Sequence, residues 1–116
     1  MSARLDDLDP HFLPAAMELL ARLVEARIHV RIIDTLRTPA EHARNLAAGV
    51  SWTDRSKHLD GKAIDLCPVE LLSVKGWAPG SPLWQRMGEI GEAVGLRWGG
   101  RWEQRDLGHF EASIGG

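Results

Sequence analysis

Two histidines and two aspartates stand out in this chain for what surrounds them. His58 and Asp65 lie within Ser56-Lys-His-Leu-Asp-Gly-Lys-Ala-Ile-Asp65. A turn at Gly61 followed by a strand lets both side chains reach one point. A second imidazole and two more carboxylates follow in Asp106-Leu-Gly-His109-Phe-Glu111. Catalytic zinc takes three protein ligands from His and Asp/Glu and keeps a fourth position for water. His58, Asp65 and His109 make such a set, and the two imidazoles with one carboxylate leave a net positive centre that acidifies water. A nearby carboxylate must then take the proton and pass it to a leaving group. Asp106, three residues before His109, is the first choice for that base, with Glu103 and Glu111 as rivals. Glu111 alternates in phase with His109, so it is also placed to orient a ligand. Asp65 sits between Ala63, Ile64 and Leu66, where a carboxylate needs a cation or several donors.

The elements that must carry these residues can be read from periodicity. Residues 10–27 read as an amphipathic helix, with Asp9 as N-cap and Leu13, Met17, Leu20 and Val24 on its apolar face. Residues 28–35 (IHVRIIDT) read as a strand. Thr38 caps an expected second helix over 39–48, closed by Gly49. Residues 50–59 form a polar loop with Trp52, and 62–66 a short central strand. Residues 68–82 hold three prolines and two glycines and read as a loop folding over something, with Trp77 exposed in it. A third helix spans 83–94, with Trp84, Met87, Ile90 and Val94 inward and Gly95 as its stop. Residues 96–102 and 108–112 are two further strands. This order implies an α+β domain with a small antiparallel sheet flanked by helices.

The 116 residues suit one domain, 1–116, and not two. With 44% hydrophobic and 26% charged residues, one globular core is expected. A net charge of −2 gives no basic field for nucleic acid or an anionic membrane, and neither partner is expected. No run is long enough to span a bilayer. The N-terminus, MSARLDDLDP, lacks the pattern of a secretory leader, so cytoplasmic synthesis is expected, as a monomer, with any outside target reached by another route. Cys67 is the only cysteine, which excludes an internal disulfide and an all-cysteine metal site; it reads as a buried structural thiol. His11, His29 and His42 lie in no motif and read as surface or structural residues.

Four segments in order resemble one family. Ser56-x-His58-x-x-Gly61-x-Ala63-x-Asp65 is similar to the first zinc motif of bacterial D-alanyl-D-alanine carboxypeptidases and phage L-alanyl-D-glutamate endopeptidases. Asp106-x-x-His109-Phe-Glu is similar to the second, and Gly95-Leu-x-Trp98-Gly-Gly-x-Trp102 to the stretch preceding it. Arg37-Thr38 resembles the upstream arginine segment.

The resemblance implies the hedgehog/DD-peptidase fold and a zinc peptidase acting on peptidoglycan stem peptides. The ligands would be His58, Asp65 and His109, and the base Asp106, where many relatives carry Glu. Arg37 would stabilise the oxyanion or a substrate carboxylate, and Ser56 would support the metal site or substrate backbone. Trp98 is assigned to the substrate side; with Trp102 it reads as a wall of core or cleft. Cleavage between L-alanine and D-glutamate, as in an endolysin, is the first expectation and release of terminal D-alanine the second. A zinc-stabilised phage binding module without turnover is the reading from another class.

Overall fold

The computed structural model describes residues 3–35 and 61–113. The expected helix over 39–48 and loop over 50–59 lie outside the described residues, and so do Arg37, Ser56 and His58.

Four strands form one antiparallel sheet: β1 (Val30–Asp34), β2 (Ala63–Pro68), β3 (Arg97–Trp98) and β4 (His109–Glu111). Their order is β1-β2-β4-β3, so β2 is central, as its apolar run implies. Side chains alternate between sheet faces, and the register therefore sorts the residues into ranks. Ile64 pairs with Phe110, and Phe110 with Trp98. This fully apolar rank meets α2 (Pro82–Val94), the second α-helix among the described residues. A Cβ added at Gly91 would collide with the Phe110 ring, and one at Gly88 with the Trp98 ring, so α2 lies directly on the sheet. Trp84 and Met87 are buried as expected, and Gly95 ends α2 with φ 102°.

α1 (Leu13–Glu25) packs along α2. Its inward stripe differs from the expected one. Ala16, Leu19 and Leu23, continued by Phe12, are buried, whereas Met17 is 54% and Val24 65% exposed. The two stripes are offset by one residue, about 100° around the helix, and both are largely apolar. Packing against α2 goes with the stripe that carries Phe12. Asp9 caps the turn leading into α1, accepting from the His11 backbone N–H at 3.1 Å.

The expected strand over 96–102 contracts to two residues. After Trp98 the chain turns into a 3-10 segment at Gly99–Arg101, whose glycines let it bend under the ring of Trp98 and against the segment that carries His109. Residues 68–82 contain two short 3-10 turns, Val69–Leu71 and Lys75–Trp77. Among the described residues, no helix is long and apolar enough to cross a membrane.

Candidate metal centre

The second rank of the sheet is polar. Asp34 of β1 pairs with Asp65 of β2, and Asp65 with His109 of β4. Opposed residues of antiparallel strands share a face, so these three stand in a row. The β1–β2 register slips between Ile32 and Asp34, leaving Ile33 as an extra residue. Such bulges re-aim the side chain that follows, here Asp34.

Two close approaches bring Asp106 to the same place. The Leu66 N–H donates to the Gly108 carbonyl at 2.8 Å, and a Cβ at Gly108 would collide with the Leu66 carbonyl oxygen. The Gly99 carbonyl accepts from Trp102 at 3.2 Å and from Asp106 at 2.9 Å, and a Cβ at Gly99 would press on Asp106 and His109. Trp98 ties this turn down through its indole N–H, which donates to the Leu107 carbonyl at 2.7 Å. At 2% exposure Trp98 is a core residue with no surface to offer a substrate, which corrects its assignment to the substrate side. Trp102 is the half-buried neighbour that covers the site, its ring centroid 5.0 Å from that of His109.

His109 is 5% exposed, and both of its nitrogens meet carboxylates. Nδ1 lies 2.9 Å from Asp65 Oδ1 and 3.9 Å from Asp106 Oδ2. Nε2 lies 2.8 Å from Glu111 Oε1. Burial alone disfavours charge on the ring. The hydrogen bonds with Asp65 and Glu111, and the charges of Asp65 and Asp106, win and push its pKa up to about 10. The metal-free ring therefore carries two protons at neutral pH, and a metal at Nδ1 has to displace one. The remaining proton then belongs on Nε2, donated to Glu111. This is the carboxylate–histidine arrangement that fixes the orientation of a ligating imidazole, and it puts Glu111 on the opposite edge of the ring from Asp65 and Asp106.

Asp65, Asp106 and His109 form a group whose donor atoms lie within 4.8 Å of one another. Ligands at about 2.0–2.1 Å from a tetrahedral ion stand about 3.3 Å apart. The 2.9 Å between Nδ1 and Asp65 Oδ1 is close to that value, so this pair fits a shared metal ion after a small shift, and Asp106 Oδ2, 3.9 Å from Nδ1, stands beside them as a further carboxylate. Of the expected site residues, the fold brings together Asp65, Asp106 and His109; Glu103 is exposed and outside this group. Asp34 and Thr35, buried at the end of β1, escaped the sequence reading. The one signal is a carboxylate closing the β-branched run Val-Arg-Ile-Ile, in which only Arg31 is polar.

A family model described as D-alanyl-D-alanine carboxypeptidase matches residues 49–112. The L-alanyl-D-glutamate peptidase of Listeria phage A118 is 32% identical over 100 residues, covering 86% of this chain. The chain spans only 36% of that relative's length. The crystal structure of the L-Ala D-Glu endopeptidase ChiX of Serratia marcescens superposes with a TM-score of 0.72, covering 94% of this chain and 83% of the other. At 20% identity that likeness concerns the fold, a small antiparallel sheet with helices packed on it. The family model covers more than half of the chain, so the chain belongs to the D-alanyl-D-alanine carboxypeptidase family.

Proposed function

We propose that this chain is a zinc peptidase that hydrolyses peptidoglycan stem peptides, as a monomer, at the bond between L-alanine and D-glutamate. The observation that carries the reading is the convergence of Asp65, Asp106 and the Nδ1 edge of His109, with Nε2 held by Glu111. The activity in the name of the phage relative supports the choice of bond. Release of terminal D-alanine, the activity in the family's description, is the second reading.

Asp65 and His109 would hold the metal, with His58 as the third ligand. Zinc, when bound, supplies a Lewis acid for the peptide carbonyl and brings the pKa of water towards neutrality. Asp106 takes a proton from the attacking water and returns it to the leaving amine. Its side chain is 45% exposed, which suits a group that must meet solvent and substrate in turn. Glu111 keeps the His109 proton on Nε2. Arg37 stabilises the negative charge that develops on the carbonyl oxygen, and Ser56 supports the substrate backbone.

The test is digestion of purified peptidoglycan, with and without a chelator, followed by mass spectrometry of the new termini. N-terminal D-glutamate is expected, and free D-alanine would install the second reading instead. Asp106→Asn should lower kcat by about 10²–10⁴-fold while zinc content stays near one per chain. A variant that binds cell wall as before, from a parent with no turnover, would mark a binding module.

A further inference from the structure

A hollow of about 210 Å³ opens beside the metal centre. Asp65 and Asp106 stand among its lining residues, and so do Trp77, Pro79, Trp84 and Arg105. We infer that this hollow is a substrate subsite for a residue bearing a free carboxylate, with Arg105 as its charge partner and Trp77 as its apolar wall. The inference rests on the peptidase reading and names what that site selects.

Three observations carry it. Arg105 is the only cation among the described residues that line the hollow. Its Nε donates to the Gly100 carbonyl at 3.2 Å, which anchors one edge of the guanidinium, and Arg105 directly precedes Asp106 in the chain. An anchored planar fork is suited to a carboxylate, which it can meet with two parallel N–H donors.

The second observation is backbone strain. Gly76, Trp77 and Ala78 follow one another at φ 69°, 58° and 46°. Left-handed backbone is costly for Trp and Ala and persists only where the surroundings over-determine it. The third identifies what imposes it. The buried indole N–H of Trp84 is shared between the Trp77 and Ala78 carbonyls, 3.1 Å from each. Trp84 thus fixes the turn from beneath, and Trp77 is held at the hollow while 38% exposed. A large indole fixed at a cost, beside a cation and a metal centre, suits a peptide residue with an apolar stem and an anionic end.

Two sources share that chemistry: an internal D-glutamate with a free carboxylate, and the terminal carboxylate of a peptide. A matched set of stem peptides separates them, with D-glutamate, with D-glutamine in its place, and with an amidated C-terminus. For wild-type protein, kcat/KM should fall about 10–100-fold when the carboxylate that Arg105 reads becomes an amide, as for a lost charged hydrogen bond. The peptide that suffers the loss names the source. In Arg105→Gln the discrimination should collapse to within about twofold, through KM. Arg105→Lys should keep part of it. Trp77→Ala should weaken all peptides alike. Calorimetric binding to Asp106→Asn, with and without Arg105→Gln, repeats the comparison without turnover, so a chain that cleaves nothing would sink the peptidase reading and leave the subsite decided by binding. Discrimination unchanged in Arg105→Gln, in both kinetics and binding, would overturn the proposal.

Discussion

The two faces of β2 and β4 are built from alternate residues of the same short strands, and they obey opposite rules. Ile64 and Phe110 pair with each other on the face that meets α2, Phe110 pairs with Trp98 on its other side, and Ile64 and Phe110 are wholly removed from water. Asp65 and His109, one residue along each strand, point the other way and gather three carboxylates around one imidazole. The apolar rank gains free energy from burial and close packing. In the polar rank, desolvation of charge is offset only by pairing, the usual price of a site kept ready for a cation. The comparison teaches that stability and chemistry are separable here residue by residue, although a single peptide bond parts them.

The apolar rank should yield the largest effect. Phe110→Ala removes a ring packed on the Gly91 surface of α2 and should cost about 3–5 kcal/mol. Urea denaturation of the metal-free protein measures it. A loss under about 1 kcal/mol would mean that this rank is not the core of the fold.

On the polar rank the expectation reverses. Glu111→Gln leaves the shape intact but exchanges the anion at His109 Nε2 for a weaker neutral acceptor. Zinc affinity should drop about 10–100-fold, as for other partners of a metal-bound imidazole. The urea midpoint of the metal-free protein should move far less than in Phe110→Ala. Chelator competition gives the first quantity and the denaturation curve the second. Unchanged zinc affinity would remove Glu111 from the site.

How much of this was legible beforehand follows from the same division. Strand β2, Trp84 and Met87 on the α2 face and its Gly95 stop come from local pattern, and the fold keeps them, while Ile90 and Val94 are only half-buried because Gly88 and Gly91 take the contact with the sheet. The phase of Glu111 with His109 comes from local pattern too, since a strand's period of two carries that by itself. The stripe of α1 is not legible in the sequence, because two apolar stripes lie one residue apart and only tertiary contact selects between them. Trp98 was assigned to the substrate side because an indole can serve either a core or a cleft, and sequence does not tell which face of so short a strand it takes. Asp34 depends on a bulge, a property of the pairing of two strands and not of either alone. The Trp77–Ala78 turn depends on a hydrogen bond from Trp84, seven positions on.

A smaller effect sharpens the packing side of the comparison. In Gly91→Ala, helix propensity favours alanine by up to about 1 kcal/mol. The new methyl group meets the Phe110 ring, and overpacking costs about 1–3 kcal/mol. Packing should win, with a net loss of about 1 kcal/mol. Adding Phe110→Leu should lose less than the sum of the two single changes, because the shorter side chain makes room. Strict additivity in that double-mutant cycle would show that α2 does not rest on the ring.

The smallest effect belongs to the solvent edge, where neither rule holds. Arg101 binds Glu92 through two hydrogen bonds of 2.9 and 3.1 Å, and its guanidinium lies 5.2 Å from the centre of the Trp98 ring. The hydrogen bonds from Arg101 hold the Glu92 carboxyl below its ordinary pKa; burial opposes them, and the charge of Arg101 adds to them. A carboxyl with a depressed folded pKa stabilises the fold above its unfolded value and loses that contribution as pH falls through the folded one. Both groups are substantially exposed, so water and salt screen the pair. Glu92→Gln should therefore lower the melting temperature slightly at pH 7 and low salt. The difference from the parent should shrink towards zero in 1 M salt, and again on acidification below the ordinary carboxylate range. A difference that survived both treatments would have to come from packing, and would move Glu92 and Arg101 from the solvent edge into the apolar rank they border.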